Sequence, residues 1–297
     1  MRRAFVLMSV ALLALGRVAA QPAAPSGLAH PEFLVSPQEL QGELTTPRLL
    51  ILDVREPTAY LSGHIPGAVN LPLSELQHSV DLSNGNVSPA IVKPAGQIRG
   101  PFRAAGIERD SRIVLYDAGE TYSATRVWWM LDYYGHLHIA VLNGGLAAWK
   151  VMGGELATNR VHPRRGGFEP VAEASKIATF EYVESHIGTS ATSICDALSA
   201  DSYAAGAIPG SISLPWSDTL TTDAFGGFKE ANQLASLLES AGLKRDRQII
   251  FYCQRGYVSS VEYFVARALG YQHVRLYDGS LSDFTARGGT LQPSGGS

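Results

Sequence analysis

The hydrophobic positions of this chain follow two alternating patterns. Short apolar runs, such as residues 49–52 and 249–252, end at a polar or reactive residue, Asp53 in the first case and Cys253 in the second. Runs of this length are typical of buried parallel strands. Longer segments follow, such as 125–134 and 259–269, in which apolar residues have helical spacing. The alternation predicts an α/β fold in which each sheet is open, mostly parallel and covered by helices on both faces.

The same pattern occurs twice along the chain. Residues 53–72 match residues 196–215, with Asp, Tyr, Gly, Ile-Pro-Gly and Leu-Pro at identical spacing. Residues 113–117 match residues 249–253 in the same order. Two copies of one domain in 297 residues fit the usual domain size. We therefore predict a first domain over 28–158, a linker over 159–175 that begins with a Pro-, Arg- and Gly-rich stretch, and a second domain over 176–290.

Residues 1–20 have the features of a cleaved signal peptide. Arg2 and Arg3 precede an apolar run over 4–15, and the small residues Val18-Ala19-Ala20 precede Gln21. A permanent membrane anchor is the alternative, but the run is about twelve residues long and a spanning helix needs about 20. We expect cleavage before Gln21, a periplasmic or secreted protein, and no membrane contact after cleavage.

The net charge and the number of cysteines limit the kinds of partner and site that the chain can have. The net charge of −3 gives no support to nucleic acid as a partner. Two cysteines are present, Cys195 and Cys253, fewer than an exported protein stabilised by disulfides usually carries. The two cysteines could form a disulfide, or one of them could be a reactive free thiol. The residues around each cysteine distinguish these alternatives.

Cys253 stands where a predicted strand ends and a helix follows, the place at which open parallel sheets bind ligands. The connection Cys253-Gln254-Arg255-Gly256-Tyr257-Val258 would wrap backbone N–H groups around the sulfur, and the helix N-terminus adds positive potential. Arg255 contributes a cation, and Gly256 allows a bend that a side chain would obstruct. Such a site favours a thiolate or persulfide anion. A buried structural cysteine is the alternative interpretation of these residues alone.

These motifs resemble the rhodanese (sulfurtransferase) superfamily in both copies. Residues 53–68 are similar to the first family signature, residues 252–260 to the active-site loop, and residues 143–149 to the C-terminal motif. The resemblance implies that the Cys253 thiolate takes the outer sulfur of a donor such as thiosulfate and becomes a persulfide. An acceptor, cyanide or another thiol, then removes that sulfur. It also implies that no metal or organic cofactor takes part, and that the donor is bound by Gln254, Arg255, Gly256, Tyr257 and Val258.

The first copy has Asp117 at the position of Cys253. A carboxylate cannot carry a persulfide, and Glu120 adds a second negative charge, so the resemblance implies a catalytically silent first domain. An acid or hydrolytic site at Asp117 is the alternative, although no histidine stands at a helpful spacing. Cys195 aligns with Leu52 of the first copy and is interpreted as a buried strand residue.

The second copy departs from the family pattern at two positions. Arg55 and His64 of the first copy become Leu198 and Ala207. In tandem rhodaneses an arginine at the position of Leu198 often helps to hold the anionic donor, which leaves Arg255 as the best-placed cation. We therefore expect Arg255→Ala to raise the thiosulfate KM by about tenfold or more, the effect of a partly buried charged contact.

Three functions fit the sequence. Thiosulfate sulfurtransfer is favoured by the intact loop and its cation, and 3-mercaptopyruvate sulfurtransfer uses the same tandem architecture. The third function is a non-enzymatic persulfide carrier or binding module, although a pure binding module would not need Cys253. A rhodanese-like phosphatase fits less well, because those enzymes have a loop one residue longer that an arginine closes, whereas Val258 and Ser259 stand here.

Overall fold

The computed structural model describes residues 25–222 and 225–293, which form two α/β domains in sequence along the chain. The predicted signal peptide lies outside the described residues. The elements of the first domain are β1 (Leu34–Val35), α1 (Pro37–Glu43), β2 (Leu49–Asp53), α2 (Pro57–Leu61), β3 (Val69–Asn70), β4 (Gln77–Asp81), β5 (Val87–Val92), α3 (Ala95–Ala104), β6 (Arg112–Tyr116), α4 (Tyr122–Tyr133), β7 (Ile139–Leu142) and α5 (Gly145–Val151).

The second domain repeats this order with shorter connections. Its elements are β8 (Ile177–Ala178), α6 (Phe180–His186), β9 (Thr192–Asp196), α7 (Ala200–Ala205), β10 (Ile212–Ser213), α8 (Ala231–Ser240), β11 (Gln248–Tyr252), α9 (Ser259–Ala268), β12 (Val274–Tyr277) and α10 (Ser280–Ala286). Single 3₁₀ turns occur at Pro31–Phe33, Leu73–Leu76, Ala174–Lys176 and Trp216–Thr219.

Both domains contain a parallel sheet with the same strand order. The first sheet runs β1-β7-β6-β2-β3, and the second runs β8-β12-β11-β9-β10. In the second sheet Ile250 of β11 is paired with Ile194 of β9. Because all these strands are parallel, their carboxyl ends meet at one edge of each sheet, where α/β proteins bind ligands. The two predicted α/β domains are therefore confirmed.

Helices cover both faces of each sheet. On the outer faces, α1 and α5 pack over the first sheet and α6 and α10 over the second. The inner faces share one hydrophobic core that contains residues of both domains. At its centre α4 packs on α9, with the Trp128 ring edge-to-face against Phe264 at 5.1 Å. Each large side chain buried here contributes about 1.5–3 kcal/mol, so this shared core stabilises the docking of the two domains.

Local sequence explains where these helices begin. Ser36 accepts the Glu39 N–H at 3.2 Å while its own N–H donates to the Glu39 carboxylate at 2.8 Å, so the expected capping box starts α1. The helix expected from residue 125 begins three residues earlier, at Tyr122. The polar residues before position 125, which suggest a longer loop, form the first turn of this helix.

The antiparallel hairpin β4–β5 was not predicted from the sequence. Its residues are mixed in polarity, and its stability comes from contacts with the second domain. Asn84 and Asn86 donate to the carbonyl of Ala286 at 2.6 and 2.8 Å, and the Val92 N–H donates to Asp278 at 2.9 Å. The hairpin therefore reaches across the interface to the edge of the second sheet.

The predicted linker begins with irregular backbone that is fixed to the first domain. Residues 159–173 contain no helix or strand, yet Phe168 is buried and its N–H donates to the Ile107 carbonyl at 3.0 Å. The Val161 N–H donates to the Tyr60 hydroxyl at 3.1 Å. The exact domain boundaries stay a prediction. None of the helices in the described ranges is long and apolar enough to span a bilayer.

Candidate active site

Cys253 directly follows β11 at the carboxyl edge of the second sheet. Its N–H donates to the Ser280 hydroxyl at 3.1 Å, and its carbonyl accepts the Leu281 N–H at 3.0 Å. Both partners belong to the start of α10, so two elements fix the cysteine backbone. The residue is only 1% exposed. The thiol is therefore held in a defined place at the interface of the two domains.

The sulfur faces hydrogen-bond donors. The Ser259 hydroxyl, at the first position of α9, donates to Cys253 Sγ at 3.4 Å. Across residues 25–222 and 225–293, no protein acceptor is found for the N–H groups of residues 254–258. Unpartnered amides in a loop before a helix N-terminus form a site for an anion. The loop can therefore stabilise a thiolate, a persulfide or a bound donor.

The predicted donor-binding residues take different positions in this loop. Gln254 is exposed, and its side-chain amide donates to the Ser282 hydroxyl at 3.0 Å. Arg255 is also exposed, and it forms no ion pair with any described residue. Tyr257 is half-buried and its hydroxyl accepts a hydrogen bond from Gln77 of the first domain. Val258 is half-buried immediately before α9.

Gly256 is the point at which the first domain holds the loop. Its φ of +78° is in the left-handed region, and a Cβ would lie 2.5 Å from the Asp278 carbonyl oxygen. Arg126 of α4, fully buried, donates to the Gly256 carbonyl at 3.2 Å and forms an ion pair with Asp278. Its guanidinium also lies 4.8 Å from the Trp129 ring centroid. A glycine is required here because no side chain fits between these groups.

The equivalent loop of the first domain is occupied by its own carboxylate. Asp117 is buried, and its two oxygens accept the N–H groups of Gly119 and Ala124, both at 3.0 Å. Burial, followed by the nearby charge of Glu120, raises the pKa of Asp117 to about 7, although the loop amides oppose that shift. The Gly119 N–H, which aligns with the unpartnered N–H of Arg255, is therefore satisfied by the Asp117 carboxylate, which supports a silent first domain.

The signature residues of the first domain have structural contacts. Arg55 forms an ion pair with the fully buried Asp53 at 2.5 Å and donates to the Gly63 carbonyl at 2.8 Å. His64 is buried, bonded to the Tyr60 carbonyl at 2.9 Å and stacked on the Tyr60 ring. In the first domain these residues therefore stabilise the fold.

In the second domain the equivalent acid has lost its partner. Asp196 accepts the Leu198 N–H at 2.8 Å, but its other oxygen is buried without a hydrogen bond. Glu262 of α9 is fully buried, and neither of its carboxyl oxygens has a partner. Burial, and then the negative charges of Asp196, Cys253 and Asp218, raise the pKa of Glu262 well above its usual value. An acidic pair thus lies in the protein interior near Cys253.

Cys195 occupies the position expected of a strand residue. It lies in β9, fully buried, and it is a free thiol, as is Cys253. Burial, followed by the charges of Glu262 and Asp196, raises the pKa of Cys195 well above its usual value. The Cys195 thiol therefore stays protonated, and the possible disulfide between the two cysteines is not formed.

Residues 36–152 and 179–287 both match the family description "Rhodanese-like domain". The chain belongs to the rhodanese family. It is 30% identical over 260 residues to the thiosulfate sulfurtransferase of Pseudomonas aeruginosa, covering 85% of this chain and 93% of the relative. It is 31% identical over 242 residues to the 3-mercaptopyruvate sulfurtransferase of Escherichia coli K12, covering 77% and 82%. These matches confirm the resemblance inferred from the two signatures.

A solved structure agrees with the fold. SseA from Escherichia coli, described as a 3-mercaptopyruvate sulfotransferase with the rhodanese fold, has a TM-score of 0.75 to this chain. The two are 27% identical, and the match covers 84% of this chain and 98% of that one. The rhodanese fold therefore extends over both domains, including the first, which carries Asp117.

Four residues of the site were missed by sequence reasoning. Ser280 and Asp278 lie outside the Cys253 loop, and Arg126 and Glu262 lie in the segments 125–134 and 259–269, for which the sequence predicts only helices. A signal existed for the last two, because a charged residue inside an apolar helical run is rarely buried without a reason. The internal repeat also aligns them, since each lies nine residues after the loop residue Asp117 or Cys253.

Proposed function

We propose that this protein is a sulfurtransferase that moves a sulfur atom from thiosulfate to a thiophilic acceptor through a persulfide on Cys253. The observation that carries the proposal is the contrast between the two loops. The Asp117 carboxylate accepts the N–H groups of Gly119 and Ala124, whereas the N–H groups of residues 254–258 have no protein acceptor in the described ranges. The sulfurtransferase names of relatives at about 30% identity support the same reaction class.

The two steps of transfer follow from this geometry. The Cys253 thiolate attacks the outer sulfur of thiosulfate, a new S–S bond forms, and sulfite leaves with the electron pair of the broken bond. The persulfide anion is then stabilised by the loop amides, the Ser259 hydroxyl and the N-terminus of α9. A nucleophile such as cyanide takes the outer sulfur, and the Cys253 thiolate is released as the leaving group.

A second candidate donor is 3-mercaptopyruvate. One observation favours it: Leu198 stands in the second domain where the first has Arg55, so the second domain lacks that cation for a dianion. Mercaptopyruvate carries one negative charge fewer than thiosulfate. The exposed Arg255 and the unpartnered amides remain available to either donor.

Intact mass measurement tests the persulfide directly. Protein incubated with thiosulfate should gain the mass of one sulfur atom, and cyanide should remove it with formation of thiocyanate. Cys253→Ser should gain none while its thermal unfolding is unchanged, because the substitution removes only the soft nucleophile. Steady-state kinetics with both donors then rank them. Added sulfur on the Cys253→Ser protein, or none on the wild type with either donor, would contradict the proposal.

We also infer that the protein is exported and acts outside the cytoplasm. The support is the order of Arg2-Arg3, the apolar run over 4–15 and Val18-Ala19-Ala20. N-terminal sequencing of the native protein should return Gln21. A sequence that begins at Met1 or Arg2 would show that the segment is retained.

A further inference from the structure

The two domains carry different charges at two aligned positions, one after the strand-end aspartate and one in the helix that follows Asp117 or Cys253. Two residues after the conserved strand-end aspartate, the first domain has Arg55 and the second has Leu198. Nine residues after the loop residue, the first domain has Arg126 and the second has Glu262. The second domain therefore has no charge at the first of these positions and an acid at the second, while Arg126 of the first domain reaches the Cys253 loop already paired with Asp278.

Among the described residues, neither Asp196 nor Glu262 forms an ion pair. The groups that act on Glu262 are Asp196 at the end of β9, Cys253 after β11 and Asp218 in the turn Trp216–Thr219. Other charged or titratable groups on the neighbouring elements have their own partners: Arg126 with Asp278, Asp132 with Tyr263 and Lys176, Arg275 with backbone carbonyls, Lys229 with the Asp218 carbonyl, and Tyr252 with Ile208, Ser211 and Asp196.

Of the two acids, Glu262 has the stronger reason to hold a proton. Burial raises the pKa of Asp196 as well, but the Leu198 N–H, which donates to Asp196 at 2.8 Å, and the Tyr252 hydroxyl oppose that rise. Glu262 has no such partner among the described residues, and its side chain is wholly removed from water. An unpaired carboxylate in the interior costs several kcal/mol, which protonation avoids. In its neutral form Glu262 does not repel an anion at the sulfur.

We propose that Glu262 makes anion binding at Cys253 proton-linked: the site accepts an anionic reagent only while Glu262 carries its proton. Glu262 is a positioning residue in this role, because it acts through the charge around the sulfur and does not touch the donor. Ser259, whose hydroxyl donates to Cys253 Sγ, lies one helical turn before Glu262 on α9. Ionised Glu262 therefore adds a second negative charge on the helix face that meets the sulfur, in a buried region that water does not screen. The thiosulfate KM then rises with pH, an effect that rests on the proposed function.

The charge effect itself is measured without sulfur transfer. Iodoacetate and iodoacetamide both alkylate the thiolate of Cys253, so the ratio of their rates cancels the thiolate fraction and reports the local charge. The rates are followed by peptide mass mapping, which separates Cys253 from Cys195. The measurement runs from about pH 6 to about pH 9, between the ordinary values for carboxyl and amine groups.

We expect the iodoacetate to iodoacetamide ratio of the wild type to fall by about tenfold over this range, the effect of one pK unit of coupling. Glu262→Gln keeps the shape of the side chain without the ionisation, so its ratio should be flat. Glu184→Gln, the same change at an exposed position of α6, should follow the wild type.

A flat ratio in the wild type overturns the proposal, whatever the variants do. So does a Glu262→Gln protein whose ratio still falls with pH, and Glu262→Met provides a second neutral variant if the glutamine variant does not fold. Alkylation requires only a reactive Cys253. Loss of the pH effect is therefore distinguishable from a failure of thiosulfate to donate sulfur, which leaves the ratio unchanged.

Discussion

Removing Arg126 tests how much the buried ion pair between the first and second domains contributes to the free energy of unfolding. Arg126→Met keeps most of the apolar volume and abolishes the ion pair with Asp278 and the hydrogen bonds to the carbonyls of Gly256 and Ala90. Asp278 then stays in the interior with the Val92 N–H as its remaining partner. Breaking a buried ion pair from one side costs about 3–5 kcal/mol, a large part of the 5–15 kcal/mol that stabilises a typical domain.

Urea unfolding, followed by the fluorescence of Trp128 and Trp129 in the shared core, measures this loss. Adding Asp278→Asn removes the uncompensated charge and keeps an acceptor for Val92, so the double variant should recover about 2 kcal/mol. Arg99→Met is the matched control, because Arg99 pairs with Glu169 on the surface and such pairs are worth about 0–1 kcal/mol. A single variant that loses less than about 1 kcal/mol, or a double variant no more stable than the single, would refute the reasoning.

Three further predictions concern the site. Cys195→Ser should keep most turnover in the thiocyanate assay, since the thiol is buried in β9; loss of turnover would give Cys195 a chemical role. Arg255→Ala should raise the thiosulfate KM by about twofold to fivefold, because exposed charges are worth about 0.2–1 kcal/mol; a tenfold or larger rise would show that Arg255 closes onto the donor. Glu262→Gln should raise the melting temperature above about pH 5 and not below, since wild-type Glu262 holds its proton only in the folded state. Calorimetry in which the gain shrinks with rising pH would exclude a raised pKa for Glu262.

The structure lowers the effect expected of Arg255→Ala on the thiosulfate KM. The sequence alone predicts a rise of about tenfold or more, which requires a partly buried charged contact. Arg255 is exposed in the structure, and water and salt screen an exposed charge. The charge of Arg255 is therefore expected to contribute less to donor binding than a partly buried cation would.

The parts of the fold that could be predicted are those that local pattern determines. The strands before Asp53 and Cys253 are apolar on both faces because helices cover both faces of the sheet, and this appears directly in the sequence. The internal repeat and the loop motif predicted the position of Cys253. The hairpin β4–β5 could not be predicted in this way, because the residues that it contacts lie in the other domain.

The parts of the site that could not be predicted depend on how the domains dock. Arg126 and Asp278 are 152 residues apart in the chain, and neither has a local feature that indicates the other. Glu262 lies in the apolar run of α9, where helical spacing alone assigns it to the surface or to the interface. Its isolation becomes visible only when the contacts of every neighbouring element are known.

Comparison of the two domains shows which features belong to the fold and which to the chemistry. Each domain has a loop with backbone N–H groups at the carboxyl edge of its own parallel sheet. The loop that can bind an anion is therefore a property of the fold. In the first domain Asp117 fills that site, and Arg126 is directed across the interface to the other loop. In the second domain Cys253 leaves the amides for a substrate. The first domain thus fills its own loop with Asp117 and supplies the buried cation that contacts Gly256, so both copies shape the surroundings of one thiol.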